Sequence, residues 1–277
     1  KAKTATLKKF ATSALTFGAG TLSTLKEFVE SQGISGHAVN TSLSGQSVVM
    51  RTIALPRMSR DELKGALQFE AKEIIPFPLE EMILDCAITQ EKIKDNMMQV
   101  AVVAVRKSAV EARVELLGKL GLTPNIIDID CFCLANAFTH RYVLAEPRAS
   151  ASKPETVGLL NVGFSVTNLV ILENGAVRFS RDIAFGGQEQ SLNSLVSEIN
   201  SSVDYYENQI GLQIEKVCLS GGSGAIPAIH DFISSHLSLP LVNFDLLTGI
   251  AVDPALNKDA LIRAQGLFAV ALGLALR

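Results

Sequence analysis

Three groups of residues have types and spacing suited to chemistry. In Asn161-Val-Gly163-Phe-Ser165-Val-Thr167 a glycine sits with two hydroxyl side chains beside it. Bare backbone at a β-turn lets N–H groups approach an anion, and Ser165 and Thr167 add donors. An ordinary hairpin turn needs the same glycine. Leu219-Ser-Gly221-Gly222-Ser223-Gly224 lies between an apolar run and helix-like sequence. Glycines between a strand's carboxyl end and a helix's amino end allow a nucleotide to lie on bare backbone, with the helix dipole favouring phosphate. A tight strand-to-helix connection is the plain alternative. No Gly-Lys-Ser/Thr follows, so this is not a Walker A loop, and the Rossmann spacing is not met. Asp128 and Asp130, two apart on an expected strand, point to one side and could supply a general base or a metal site. Solvated acids that end an apolar strand are the other reading.

Four cysteines, at 86, 131, 133 and 218, lack C-x-x-C pairs and read as small buried apolar residues. The histidines at 37, 140, 230 and 236 form no ligand spacing, and the last three fall on expected helix surfaces. No Ser-His-Asp or Cys-His set is present, and no metal site is assigned.

The elements that would position these groups follow from periodicity. A strand is expected over 7–15 and a helix over 21–31, stopped by Gly33. Extended runs at 37–43 and 47–55 read as a hairpin. Ser59-Arg-Asp-Glu62 is a capping box opening a helix that stops before Pro76-Phe-Pro78. A second hairpin (82–90, 98–106), a helix (108–120), a short strand (125–130) and a buried helix (131–143) complete the first half. The polar segment 146–154 reads as a linker. Strands at 156–162, 167–172 and 177–183 form a meander, with Asn174-Gly175 as a tight turn. A helix (191–209), a strand (216–219), a helix (225–236), a strand (240–244) and an apolar closing helix (264–276) follow.

Composition bounds the partners. The chain has 277 residues, 48% hydrophobic and 19% charged, with a mean hydropathy of +0.28. That marks a core-rich folded chain. Twenty-five basic against 28 acidic residues give a net charge of −3, which argues against nucleic acid. The apolar stretch 266–276 is far below the roughly 20 residues of a membrane span. With no signal peptide read at the start, a cytoplasmic protein is expected.

A three-strand meander followed by helix, strand, helix and strand is the layout of one lobe of the actin/hexokinase/chaperone-ATPase class. More specific strings occur in order: Ile75-Pro-Phe-Pro78, Gly121-Leu-Thr-Pro124 with Ile127-Asp-Ile-Asp130, Asn161-Val-Gly163, Arg181-Asp-Ile183 with Gly186-Gly187, Leu219-Ser-Gly-Gly222, and Phe268 to Gly273-Leu-Ala-Leu-Arg277. Together they resemble the PilM family of the type IV pilus inner-membrane platform, itself similar to FtsA.

The resemblance implies an α/β, actin-like (ASKHA) two-lobed fold with an FtsA-type inserted small subdomain. Residues 1–56 would begin the first lobe, 57–123 would be the insert, 124–150 would close the first lobe, and 151–277 would form the second. ATP with Mg²⁺ would lie in the interlobe cleft, bound through Asn161, Gly163, Ser165 and Thr167, through Gly186 and Gly187, and through Gly221, Gly222 and Ser223. The partner would be the cytoplasmic N-terminal tail of PilN, in a groove beside the insert, and through it PilO and the assembly motor ATPase. The protein would then sit peripherally at the inner membrane, at most a weak ATPase.

Against the family pattern, residues 1–15 hold no Asp-Ile-Gly phosphate hairpin. Asn161 replaces the phosphate-loop aspartate, and a neutral amide holds Mg²⁺ less strongly than a carboxylate. A helical subdomain expected near 188–190 is missing. Two other readings are a small-molecule kinase with Asp128 or Asp130 as base, and an FtsA-like filament tether. The latter needs a basic amphipathic C-terminal helix, which the apolar 264–276 segment does not provide.

Overall fold

The computed structural model describes residues 5–15, 18, 20–145 and 155–277, the side chains of 141–145 and Glu189 excepted. The linker expected at 146–154 lies outside the described residues. In the first half the elements are β1 (Thr6–Leu7), α1 (Thr21–Ser31), β2 (Ala38–Leu43), β3 (Val48–Pro56), α2 (Arg60–Ile74), β4 (Met82–Gln90), β5 (Met97–Arg106), α3 (Lys107–Lys119), β6 (Thr123–Ile129) and α4 (Asp130–Ala145). In the second half they are β7 (Thr156–Val162), β8 (Thr167–Glu173), β9 (Ala176–Ile183), α5 (Leu192–Ile210), β10 (Lys216–Ser220), α6 (Pro227–His236), β11 (Leu241–Asn243), β12 (Ala251–Val252), α7 (Lys258–Ala264) and α8 (Ala269–Ala275).

The strands form sheets ordered β11-β10-β7-β8-β9, β3-β5-β4, β2-β6 and β1-β12. β7 and β8 are apolar at successive positions because both faces of their sheet are covered. Val157, Leu159, Val170 and Leu172 enter the core shared with α4 and α8. Their neighbours Leu160, Val162, Leu169 and Ile171 enter a second core under α5 and α6. Each such fully buried Leu or Ile contributes about 1.5–3 kcal/mol. The capping box is present: the Glu62 amide donates to Ser59 Oγ, and Glu62 Oε2 accepts from the Ser59 amide.

Four expectations are corrected. The runs at 37–43 and 47–55 are not a hairpin, since β2 pairs in parallel with β6 and β3 pairs antiparallel with β5. A 3₁₀ turn over Gly45–Ser47, entered at φ +81 by Gly45, sends the chain from one sheet into the other. The strand at 7–15 shrinks to Thr6–Leu7, whose partner is β12. The helix at 225–236 begins at Pro227, which fits the first helical position because it has no N–H to leave unpaired. The closing helix 264–276 is interrupted: α7 ends at Ala264, Gln265–Phe268 is 3₁₀, and α8 follows. The break has a local cause, because the Gly266 carbonyl accepts the Gly221 amide at 2.8 Å.

α8 holds the two halves together. It crosses α4 so closely that a Cβ at Gly273 would lie 1.8 Å from the Cys133 carbonyl oxygen. It also reaches β2, where the Asn40 side chain donates to the Leu274 carbonyl at 3.0 Å. Gly273→Ala is therefore expected to force the helices apart and cost about 2–4 kcal/mol. Gly118→Ala on α3, where the added methyl meets open space, should gain about 0.5–1 kcal/mol. Urea denaturation of the two variants beside the parent chain checks both signs.

Candidate functional site

Strand register builds a polar row across the five-stranded sheet. Ser220 lies opposite Asn161, Asn161 opposite Asn168, and Asn168 opposite Asp182. Ser220 Oγ donates to Asn161 Oδ1 at 3.2 Å. Asn161 Nδ2 donates to Asn168 Oδ1 at 3.0 Å, and Asn168 Nδ2 donates to Asp182 Oδ1 at 2.8 Å. The other carboxylate oxygen of Asp182 accepts the Gly45 amide, in the turn between β2 and β3. Burial raises the Asp182 pKa above the ordinary carboxylate value, opposed by the hydrogen bonds from Asn168 and Gly45.

Beside the row, the glycine turns close on one another. The Gly163 amide donates to the Val166 carbonyl, and the Gly187 amide to the Gly163 carbonyl, both at 3.0 Å. The Ser223 amide donates to the Val162 carbonyl at 3.1 Å. A Cβ on Gly187 would lie 2.2 Å from Ser223 Cβ, one on Gly186 would lie 2.3 Å from the Phe164 carbonyl oxygen, and one on Gly222 would lie 2.7 Å from Leu267 Cδ2. Gly221, at φ +95, would meet the Val162 carbonyl oxygen at 2.3 Å. These glycines serve close backbone packing. Ser165 is exposed on the turn, whereas Thr167 is fully buried and its hydroxyl has no partner.

The structure thus brings all nine residues expected from the sequence into one junction between β7, β8 and β10. The amides of Gly163, Gly187, Gly221 and Ser223 already donate to carbonyls, that of Gly221 to Gly266, and the Asn161 side-chain amide belongs to the polar row. Neutral Asn161, engaged in the polar row, offers little to Mg²⁺, and the space beside Gly186, Gly187, Gly221 and Gly222 where a Cβ would lie is taken by neighbouring chain segments.

The two aspartates do not form a dyad, nor are they solvated strand-end acids. Asp128, on β6, is buried and accepts from Arg277 Nε at 2.6 Å. Asp130 is the first residue of α4, its pKa raised by burial and lowered again by hydrogen bonds from the Ser42 and Ser44 hydroxyls. Among the described residues no group of three or more His, Cys, Asp or Glu could hold a metal. Cys131, Cys133 and Cys218 are buried as expected, and Cys86 is half-buried. His236 lies on an exposed helix end, but His140 departs from its expected surface place: its Nε2 is buried without a partner.

Sequence reasoning missed a cavity of about 380 Å³ lined by Ile83, Asp85 and Ala87 of β4, by Asp128 and Phe132, and by Arg277. β4 is the outer strand of its sheet. Its residues 83, 85 and 87 are exposed, and Ile83 is 45% exposed despite being apolar.

A family model described as type IV pilus assembly protein PilM matches residues 20–193 and 192–277. The chain belongs to that family. The two matched segments overlap at 192–193. A solved structure titled as the PilM–PilN type IV pilus biogenesis complex matches with TM-score 0.76 at 27% identity, over 92% of this chain and 84% of that one. Two more distant structures also match. The cytoplasmic domain of EpsL, an inner-membrane component of the type II secretion system of Vibrio cholerae, has TM-score 0.46 at 14% identity, over 92% of this chain and 79% of that one. A Bacteroides thetaiotaomicron protein described as having an actin-like ATPase fold has TM-score 0.44 at 12% identity, over 83% and 72%. The α/β actin-like fold expected from the sequence is the fold of this PilM-family chain. Among the described residues no helix is long and apolar enough to cross a membrane.

The polar row predicts the outcome of Asn161→Asp. An aspartate there cannot donate to Asn168, so two carboxylates compete for one amide. A loss of about 1–3 kcal/mol is expected. The new acid's folded pKa is raised above its unfolded value, because only the protonated form donates. The deficit is therefore largest at alkaline pH and shrinks as pH falls toward about 4. Urea midpoints across that range read it out.

Proposed function

We propose that this chain is a scaffold of the type IV pilus machinery that captures the short cytoplasmic N-terminal tail of a PilN-type inner-membrane protein in the cavity between β4 and the β6–α4 corner. The observation that carries this reading is the cavity itself. One wall is an outer strand whose outward backbone groups have no strand partner, the usual invitation to an extended peptide. Ile83, Ala87 and Phe132 offer apolar contact, while exposed Asp85 offers charge to a basic residue. The likeness to a chain solved with PilN supports the choice of partner.

On this reading the protein sits peripherally at the inner membrane through its partner, and it reaches PilO and the motor ATPase only through that partner. The domain division proposed from the sequence puts the insert, 57–123, on one side of the cavity and the first lobe on the other. ATP with Mg²⁺ enters the proposal as a ligand of an opened form, in which the turns holding Ser165 and Ser223 have moved apart. Neutral Asn161 would add little to a metal there.

Titration of the full chain with a synthetic peptide of the PilN-type tail tests the proposal. Saturable binding is expected. Ile83→Lys should weaken it by about ten-fold or more without moving the thermal midpoint, since Ile83 is exposed. Absence of binding at high micromolar peptide would sink the reading.

A further inference from the structure

A second cavity, of about 510 Å³, lies between β3, β9 and the carboxyl-terminal end of α5. It shares no lining residue with the peptide cavity or with the glycine junction. We infer that it binds a small phosphate monoester carried on a flat ring.

Charge is the first ground. The charged residues that line the cavity are Arg51, Arg178 and Arg181, and no acid lines it. Arg178 gives Nε and Nη2 to Glu173, and Arg181 gives Nη2 to Glu198 and Nη1 to Ser202. Arg51 donates only to the Met50 carbonyl, at 3.0 Å, and has no carboxylate partner among the described residues. A net positive charge therefore faces the space, with guanidinium donors to spare. Guanidinium groups match phosphate oxygens in pairs, which a lysine cannot do.

Unmet hydrogen bonds are the second ground. Arg178 Nη1 and the Tyr206 hydroxyl are buried and have no partner. Tyr206 is 1% exposed, and burial pushes its pKa up to about 12, so the phenol stays a donor. Buried donors without acceptors are rare in folded proteins and are commonly met by a ligand or by water. Both belong to residues that line this cavity, but the two atoms themselves are covered, so a ligand's oxygens are met by the Arg51 and Arg181 guanidinium groups and reach these donors only when the side chains turn toward it.

The ring is assigned from the rim. Tyr205 is 58% exposed, and its ring centroid lies 6.0 Å from that of Phe179. The two planes are tilted by 44°, so the face open to stacking beside the arginines is that of Tyr205.

Calorimetric titration of the full chain with phenyl phosphate, inorganic phosphate and benzoate, at low salt, tests the inference. Phenyl phosphate is expected to bind best, with inorganic phosphate about ten-fold weaker for want of the ring and benzoate weaker again for want of charge. Arg51→Gln, at an exposed position, should weaken phenyl phosphate by about ten-fold at an unchanged thermal midpoint. Tyr205→Ala should weaken phenyl phosphate and leave inorganic phosphate as it was. Absence of phenyl phosphate binding in the millimolar range overturns the inference, and so does equal binding by the parent chain, Arg51→Gln and Arg181→Gln.

Discussion

The near-contact of two helix backbones, Gly273 of α8 against the Cys133 carbonyl of α4, is the constraint on which the other contacts rest. With α8 lodged there, its end reaches β2 through Asn40, and Arg277 reaches Asp128 on β6. The segment just before α8 brings Gly266 to Gly221. One short helix thus touches the parallel pair of the first half and the strand-end turn of the second. The core on that face of the five-stranded sheet is closed by α4 and α8 together. A bulkier residue at 273 would loosen all of these at once.

Much of the fold was legible in the sequence where local signals agree with tertiary demands. Ser59 and Glu62 announced α2, and Asn174-Gly175 announced the turn between β8 and β9. The unbroken apolar runs of β7 and β8 announced a sheet covered on both faces. What escaped were features decided by long-range pairing. β2 and β3 look like a hairpin in sequence, but each finds a better partner more than forty residues away. The closing helix reads as continuous because nothing in Gln265-Gly266-Leu267 says that a distant amide will claim the Gly266 carbonyl.

The same division holds for the site. The glycine-containing strings do lie together at one junction in the structure. Glycine content did not reveal whether the space vacated by each Cβ is open to a ligand or filled by a neighbouring chain segment. For Gly186, Gly187, Gly221 and Gly222 it is filled. The polar row was partly visible: Asn161 and Asn168 are placed symmetrically about the 163–166 turn, in strands otherwise almost free of polar residues. Its far end at Asp182 and Gly45 depends on how two sheets meet, which spacing alone does not fix. The cavity beside β4 was hidden for a related reason, as being an outermost strand is a property of the whole sheet.

The row from Ser220 to Asp182 also has a direction. Every member passes a proton donor one way: hydroxyl to amide oxygen, amide nitrogen to amide oxygen, amide nitrogen to carboxylate. A chain of this kind has a head and a tail, so its members are not independently exchangeable. A change at 161 or 168 that reverses the donor sense leaves its neighbours mispaired unless the whole row reverses with it. Four side chains thus behave as one inherited character, and the alignment of four strands travels with it.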